Sequence, residues 1–341
     1  MKERVAVIFG GKSSEHEVSL LSAASVIRAI DKDKFDLVYI GITKDGLFKS
    51  VKCDADEIEN GSWVKKAEDF NPWDLKKIAD FALPIVHGPN CEDGKLQGFL
   101  ELVGIPYGGC GVLASSVAMD KIVAKDVFRR AGLPVCKDVS VFRADNIDEK
   151  IETIENELGY PVFVKPANMG SSVGITKAHN RDELKEAIKV AFKYDRRLII
   201  EESINAREIE TAVLGNDNPR VASCGEILPK DAEFYDYAAK YTDGASSLKI
   251  PADIPKDIYE EIRRLAIIAY KAIDGEGFSR CDFFLERETN KIYLNEINTI
   301  PGFTKFSMYP LLFEDAGLKY KDNIEEIIRL GHERYNAKNN R

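Results

Sequence analysis

The stretch that most constrains the fold is residues 280–310, RCDFFLERETNKIYLNEINTIPGFTKFSMYP, in which acidic residues interrupt two apolar runs. These runs predict a buried β-hairpin whose turn is centred on the ETN tripeptide. Antiparallel pairing around that turn sets Arg280 opposite Asn298 and Asp282 opposite Glu296. Because side chains alternate between the two faces of a strand, all four side chains are expected on one face.

The polar face of this hairpin suits a metal ion. Asp282, Glu296 and Asn298 offer oxygen ligands from neighbouring positions, too few to enclose Ca²⁺ but enough for Mg²⁺, which keeps waters and phosphates as further ligands. The hairpin therefore predicts a site for a metal-bound nucleotide. An edge hairpin whose acids face solvent or form ion pairs fits the same spacing.

Composition limits the class of protein. The 341-residue chain is too long for one simple core and predicts two or three domains. A net charge of -9 and a pI near 5.3 argue against a nucleic-acid or anionic-membrane surface. Six scattered cysteines without a CxxC pair, and the absence of a signal-peptide pattern or long apolar span, predict a cytoplasmic protein without nucleic-acid or membrane partners.

The first third of the chain predicts a parallel-sheet α/β domain, with a helical pattern over residues 18–30. Its predicted strands are residues 4–11, 35–42 and 82–86. Ligands of such sheets bind in the loops that follow the strands, which makes Glu15 and His87 candidate ligand residues. The first loop has no GxGxxG pattern, so a nicotinamide-dependent oxidoreductase is disfavoured. His87 also fits a residue that merely caps a strand end.

The middle of the chain contains a candidate phosphate loop, ANMGSSVG at residues 167–174, between predicted strands at 162–165 and 197–201. Its glycines permit a tight backbone whose amides, with the serine hydroxyls, suit phosphate oxygens. Lys165 and Lys121 add positive charge for a phosphate chain. The loop lacks the GK[ST] ending of a Walker motif, and a flexible loop with exposed lysines has the same composition.

Helical periodicity predicts the remaining helices. Ser115 and Ser116 are expected to precede a single helix that contains the MDK tripeptide and runs to about residue 130. Further helices are predicted at residues 96–102, 182–193, 257–272 and 323–337.

Three carboxylates follow the phosphate loop. Glu201 and Glu202 end a predicted strand, and Glu208 lies in the segment REIETAVLG. These groups suit the amine of adenine and the hydroxyls of ribose. A solvent-facing position is the alternative for each of them.

Residues 229–244, PKDAEFYDYAAKYTDG, have no clear period and predict a long ordered loop. A lid over a phosphate site excludes water and brings a cation to the transferring group, which makes Lys240 and Tyr241 the candidate lid residues. A helical turn with surface tyrosines is the alternative.

Taken together, these motifs resemble the D-alanine:D-alanine ligases, a family of the ATP-grasp superfamily. The resemblance covers almost the whole chain and rests, in the family's order, on GGKSSEHEVSL, HGPNCEDGKLQG, MDK, KPANMGSSVG, EFYDYAAKY, and RCDFF with LNEINTIPGFTKFSMYP. It implies a mixed α/β, three-domain ATP-grasp fold. The implied parts are a Rossmann-like N-terminal domain at 1–111, a central domain at 112–201 and a C-terminal domain at 202–341.

The resemblance implies roles for the residues that match the family's motifs. Glu15 matches the residue that holds the ammonium of the first D-alanine, and His87 lies close to that substrate. Glu15, Ser171 and Tyr241 are implied to form a hydrogen-bonded set in the closed state. The implied ATP contacts are Lys121, Lys165 and Lys240 on the phosphates and Glu201, Glu202, Ile204 and Glu208 on adenine and ribose.

The hairpin region is implied to serve both the metal and the second substrate. Arg280 and the amide of Gly302 match the groups that stabilise an oxyanion, whereas Ser307 and Met308 line the pocket of the second D-alanine. The ligands of two Mg²⁺ ions match Asp282, Glu296 and Asn298.

The implied activity is ATP-dependent ligation of two D-alanines through an acyl phosphate, for peptidoglycan precursor synthesis, by a cytoplasmic homodimer. Mn²⁺ is an alternative metal, and some relatives also require a monovalent cation. A D-alanine:D-serine or D-alanine:D-lactate ligase is the alternative, although the YDYAAKY lid and the apolar Met308 favour D-alanine. The chain departs from the family's HGxxGEDG pattern at Cys91, where a glycine is usual.

Overall fold

The structure is a computed structural model that describes residues 2–229 and 246–339. Three β-sheets with helices packed against them form this part of the chain, which confirms the predicted mixed α/β class. The predicted lid residues Lys240 and Tyr241 lie outside the described residues.

The three predicted strands of the N-terminal sheet run parallel, as predicted, and two further strands extend the sheet with antiparallel pairing. Its strands are β1 Glu3–Gly10, β2 Phe35–Ile42, β3 Phe48–Val51, β4 Glu68–Asp69 and β5 Phe81–Pro84, and its helices are α1 His16–Ala29, α2 Ala55–Glu59, α3 Leu75–Ile78 and α4 Lys95–Val103. The strand order is β4-β3-β2-β1-β5, and β1 runs parallel to both β2 and β5. The loops that carry Glu15 and His87 therefore leave the same edge of the sheet.

Residues 112–130 form two helices, so the prediction of one helix after Ser115 and Ser116 is wrong. The two helices are α5 Val112–Met119, which contains both serines, and α6 Lys121–Arg130. Asp120 separates them because its backbone is extended, and its carboxylate accepts a hydrogen bond from the amide of Val123. An aspartate in this position is a favourable helix N-cap.

The central sheet is antiparallel and has the strand order β6-β9-β7-β8. Its elements are β6 Asp138–Phe142, α7 Ile147–Glu157, β7 Val162–Pro166, β8 Thr176–Ala178, α8 Arg181–Ala191 and β9 Arg197–Glu202. Its two helices pack on one face through a core that includes Ile151, Leu184 and Ile200. The predicted phosphate loop connects β7 to β8, between residues 166 and 176.

The C-terminal sheet supplies the predicted hairpin. Its elements are β10 Ala206–Leu214, β11 Arg220–Pro229, β12 Ser246–Lys249, α9 Lys256–Ala272, β13 Phe278–Glu286, β14 Ile292–Asn298, α10 Met308–Asp315 and α11 Tyr320–Asn339. The strands follow the order β12-β11-β10-β13-β14. The hairpin therefore lies at one edge of this sheet, next to β10.

The register of the hairpin confirms the predicted pairing. Arg280 pairs with Asn298 and Asp282 pairs with Glu296. Beyond that point the register shifts, because Phe283 pairs with Leu294 and a β-bulge accommodates one extra residue. The bulge was not predicted, and it ends the regular alternation next to the polar face.

Shared cores join the N-terminal and C-terminal sheets, whereas the central sheet and its two helices have a core of their own. Ala114 and Phe128, which follow the N-terminal domain in sequence, pack in one cluster with Ile262 and Phe283 of the C-terminal sheet layer. A second cluster joins the N-terminal sheet to the C-terminal helices. Within residues 2–229 and 246–339, each helix is too short or too polar to cross a membrane.

Candidate active site

One large cleft, of about 750 Å³, opens where the loops of the N-terminal sheet, the glycine- and serine-rich loop and the hairpin meet. Most of the predicted site residues line it: Glu15, His87, Lys121, Lys165, Ser171, Glu208, Arg280, Asp282, Glu296, Asn298, Gly302, Ser307 and Met308. Glu201, Glu202 and Ile204 do not line this cleft among the described residues.

The three predicted metal ligands converge. The side-chain amide of Asn298 donates to Oδ2 of Asp282 at 2.8 Å and lies 3.5 Å from Oε1 of Glu296. Two carboxylates and an amide group thus lie together on one face of the hairpin, beside an open cleft. This donor set fits Mg²⁺, a hard cation that takes oxygen ligands and completes its shell with water or phosphate.

Arg280 is held beside these ligands by two carboxylates. Its Nε and Nη2 donate to the two carboxylate oxygens of Asp282, each at 2.7 Å. Oε2 of Glu210 lies 2.9 Å from the same Nε. Burial alone lowers the pKa of the Arg280 guanidinium, but the two carboxylates raise that pKa well above its ordinary value. Arg280 is therefore a fixed positive charge at the edge of the metal site.

Glu210 is a site residue that the sequence reasoning missed. It lies on β10, pairs directly with Asp282 on β13 and is 5% exposed. The alternating pattern REIETAVLG places it on the same face as Glu208. The contact with Arg280 joins residues far apart in sequence, so only the pairing of the two strands reveals it.

The glycine- and serine-rich loop is anchored at its base. Nζ of Lys121 donates to the carbonyl of Met169 at 2.6 Å, and the backbone amide of Asn168 donates to Asp195 at 2.8 Å. Ser171 and Ser172 have φ values of 50° and 58°, a left-handed conformation that L-residues rarely adopt. Strained backbone of this kind occurs often in ligand-binding loops.

His87 is buried and ties three segments together. Its Nδ1 donates to the carbonyl of Ile300 at 2.9 Å, since a carbonyl only accepts, and its Nε2 lies 2.9 Å from the hydroxyl of Ser22. Burial alone lowers the pKa of the imidazole, but Glu92 and Glu15 raise it above its ordinary value. Both ring nitrogens are thus used within the protein, so the ring lines the cleft and fixes the loop after β14.

The unusual Cys91 fits its loop without strain. Left-handed backbone in this segment falls on Gly88, Asn90 and Gly94, and Cys91 keeps an ordinary φ. Its side chain is 3% exposed and packs in the core beneath the N-terminal sheet. Gly88 is the constrained position, because its φ of 79° is left-handed and a side chain there would be strained.

The acidic residues after the phosphate loop occupy different surroundings. Glu201 is buried, and its two oxygens accept from Lys165 at 2.6 Å and contact Lys125 at 2.8 Å. Glu202 accepts from the backbone amide of Lys137 at 2.7 Å. Glu208 is half-buried on β10 and lines the cleft. Ile204 is half-buried in the connection before β10.

The cleft ends in an apolar wall beyond the hairpin. Ser307 precedes α10, and its hydroxyl lies 2.8 Å from that of Thr304. Met308 is buried, and a Cβ at Gly225 would lie 2.6 Å from its sulfur. A Cβ at Gly302 would lie 3.1 Å from the Ser307 hydroxyl, so glycine keeps this turn open.

Three sheets enclose one cleft, with the glycine- and serine-rich loop on one side and the hairpin that carries the predicted metal ligands on the other. This arrangement defines an ATP-grasp ligase. The family model described as "D-ala D-ala ligase N-terminus" matches residues 4–110, and the model described as "D-ala D-ala ligase C-terminus" matches residues 127–329. The chain belongs to the D-alanine–D-alanine ligase family.

Relatives and solved structures agree with this assignment. The chain is 48% identical to a D-alanine–D-alanine ligase of Acetivibrio thermocellus, covering 98% of this chain and 97% of that one. It is 50% identical to one of Clostridium acetobutylicum, covering 99% and 100%. The VanG D-Ala:D-Ser ligase of Enterococcus faecalis superposes with a TM-score of 0.89 at 39% identity, covering 97% and 100%. The D-alanine–D-alanine ligase of Coxiella burnetii superposes with a TM-score of 0.89 at 32% identity, covering 99% of this chain and 96% of that one.

The buried Glu201 predicts a pH-dependent stability. Burial alone raises the pKa of its carboxyl, but Lys125 and Lys165 hold that pKa far below the usual range. Its charge therefore stabilises the fold above the unfolded-state pKa of about 4.3, and this contribution is lost as the pH falls towards the lower folded-state value. Glu201→Gln is expected to lower the free energy of unfolding by about 3–5 kcal/mol at pH 7.

Urea denaturation of both proteins from pH 7 to pH 3 measures this effect. The difference in the free energy of unfolding is expected to be constant above about pH 5 and to shrink at lower pH. Glu202→Gln is the control, with an expected loss below about 1 kcal/mol, because the amide oxygen still accepts from Lys137. A Glu201→Gln loss that stays constant down to pH 3 contradicts the assignment.

Proposed function

We propose that this ligase joins two D-alanine molecules into D-alanyl-D-alanine, a peptidoglycan precursor, while it converts ATP to ADP and phosphate. The observation that carries the proposal is the convergence of three kinds of groups in one cleft: an acid and a histidine from the N-terminal domain, phosphate-type lysines, and the polar face of the hairpin. Relatives named D-alanine–D-alanine ligase match nearly the whole chain.

The reaction has two steps because a carboxylate is a poor electrophile. ATP phosphorylates the carboxylate of the first D-alanine, which gives an acyl phosphate and ADP. The amine of the second D-alanine then attacks the carbonyl carbon, and the tetrahedral intermediate expels phosphate. Ser171 serves as a positioning hydroxyl, since neither reaction step requires a covalent enzyme nucleophile.

We assign the first step to the phosphate side of the cleft. Lys121 and Lys165 contact the phosphates, Lys240 approaches the γ-phosphate, and Glu208 binds ribose, with adenine near Glu201, Glu202 and Ile204. Asp282, Glu296 and Asn298 would hold two Mg²⁺ ions, or Mn²⁺ in their place. A bound divalent ion supplies charge neutralisation during phosphoryl transfer.

We assign the second step to the hairpin edge. Arg280 and the amide of Gly302 stabilise the oxyanion, and the fixed position of Arg280 between two carboxylates supports this role. Glu15 binds the ammonium of the first D-alanine beside His87. Ser307 and Met308 contact the second D-alanine.

The three domains divide this work. Residues 1–111 bind the first D-alanine, residues 112–201 supply the phosphate loop, and residues 202–341 supply the metal ligands and the lid with Tyr241. Glu15, Ser171 and Tyr241 join the three parts when the lid closes and excludes water from the acyl phosphate.

Two features favour D-alanine over D-serine or D-lactate as the second substrate. Two relatives named D-alanine–D-alanine ligase are 48% and 50% identical to this chain, above the 39% of the D-Ala:D-Ser ligase, although the D-alanine–D-alanine ligase of Coxiella burnetii is 32% identical. The wall around Met308 is apolar, with Leu312 and Ile250 close by, and suits a methyl group.

The defining test uses D-alanine labelled with ¹⁸O in its carboxylate. With ATP and D-alanine as the sole amino acid, we expect one dipeptide per phosphate, and each phosphate should carry one ¹⁸O atom from the acyl group. Added D-serine or D-lactate should give minor products, and L-alanine serves as the negative control. Absence of phosphate release with D-alanine alone would refute the proposed specificity.

We further propose a cytoplasmic homodimer. All six cysteines are free thiols, as expected for a reducing compartment. Trp73 and Leu102, 57% and 77% exposed, flank Phe99 on the N-terminal domain, and the Trp73 and Phe99 rings lie 5.3 Å apart. Exposed apolar patches of this kind occur at protein interfaces.

Sedimentation equilibrium tests the assembly. We expect a mass of twice 38.2 kDa, and Leu102→Glu should shift the protein towards the monomer. A monomer at micromolar concentration for the unchanged protein contradicts the dimer. Leu47→Glu is the control variant for an added charge elsewhere on this domain. Leu47 lies on the β2–β3 connection and is 56% exposed.

A further inference from the structure

A line of alternating charges runs through the central domain to the cleft. It begins at Arg129, which contacts Asp138, and continues to Lys125, whose Nζ lies 3.6 Å from Oδ1 of Asp138. Lys125 contacts Oε1 of Glu201 at 2.8 Å, and Oε2 of Glu201 accepts from Lys165 at 2.6 Å. Each oxygen of Glu201 therefore faces one ammonium group.

Burial divides the members of this line. The side chains of Lys125 and Glu201 are 3% and 4% exposed, whereas Arg129 at the outer end is 41% exposed. Lys165, 11% exposed, is the member that lines the cleft. Glu201 therefore lies between Lys125 and the cleft residue Lys165, and Lys125 itself does not line the cleft.

The balance of charge explains what Lys125 adds. A buried glutamate and one lysine form a neutral pair, which would cancel the positive charge that Lys165 offers to the cleft. Lys125 and Lys165 place two ammonium groups around the one carboxylate of Glu201, so one positive charge remains in excess there. Asp138, which lies near Lys125, is paired with Arg129, and Arg129 also contacts Asp126 at the exposed end of the line. Glu201 raises the pKa of Lys165 although burial alone lowers it, so the cleft ammonium stays charged.

We propose that Lys125 is a positioning residue for the nucleotide phosphates: it shares Glu201 with Lys165, so that Lys165 is held in place yet remains a net cation towards the cleft. This rests on the proposed function, in which Lys165 contacts the phosphates of ATP. The sequence reasoning assigned no role to Lys125, which lies four residues after Lys121 on α6.

Nucleotide binding without turnover tests the proposal. Calorimetry compares the dissociation constants of Mg-ADP and of adenosine, which has no phosphate, for the unchanged protein and Lys125→Met. We expect Mg-ADP to bind at least tenfold more weakly to the variant, with less than a twofold change for adenosine. Equal weakening of both ligands, or no weakening of Mg-ADP, overturns the proposal.

Lys150→Met is the matched control in the same domain. Lys150 also contacts a carboxylate, Asp145, at 3.6 Å and a backbone carbonyl, that of Ser140, at 3.1 Å, but on α7 away from the cleft. Its substitution should leave both dissociation constants within twofold. A loss equal to that of Lys125→Met would assign the effect to general disruption of the domain and overturn the proposal.

Two further variants test the proposal if Lys125→Met folds poorly. Lys125→Arg keeps the charge and should restore Mg-ADP binding to within threefold of the unchanged protein. Lys125→Met added to Glu201→Gln should weaken Mg-ADP binding less than threefold relative to Glu201→Gln alone, because no carboxylate then remains for Lys125 to share with Lys165. Failure of Lys125→Arg to restore binding, or a tenfold loss in the Glu201→Gln background, overturns the proposal.

These results are separable from the proposed ligase activity. If the unchanged protein makes the dipeptide but Lys125→Met binds Mg-ADP normally, the role of Lys125 is wrong and the function stands. If the unchanged protein binds Mg-ADP and makes no dipeptide, the function is wrong whatever the variants do.

Discussion

The cross-strand register of one hairpin determines the chemistry of the cleft. Asp282 opposite Glu296, and Arg280 opposite Asn298, bring two carboxylates, an amide and a guanidinium together on one face. A slip of one residue would turn these side chains into the sheet core and bring the apolar face with Cys281 to the site. The β-bulge beyond Asp282 shifts the pairing by one residue, so the site has a register different from that of the rest of the hairpin.

Buried charges are satisfied by specific partners on both sides of the cleft. Arg280 lies between Asp282 and Glu210, and Glu201 lies between two lysines. A buried charge without a partner is strongly destabilising, so each carboxylate also fixes the position of a cation. The cations face the space where phosphate and a developing oxyanion carry negative charge, which links the stability of the fold to its function.

Local patterns were readable from the sequence, whereas long-range contacts were not. The hairpin pairs followed from strand alternation and turn chemistry, and the three parallel strands of the N-terminal sheet from their apolar runs. Glu210 and Lys125 were missed because their partners lie on other strands or helices. The break at Asp120 was missed because both flanking segments have helical periodicity, and the ordered family motifs rather than spacing suggested the substrate.

The central claim is that the hairpin face forms the metal site, and Glu296→Gln tests it most directly. Mn²⁺ binding in the presence of ADP, followed by electron paramagnetic resonance, should weaken at least tenfold, and kcat/KM should fall at least about 100-fold. Glu288→Gln, in the exposed turn of the same hairpin, should leave both unchanged. Metal binding and turnover of Glu296→Gln equal to those of the unchanged protein would contradict the account.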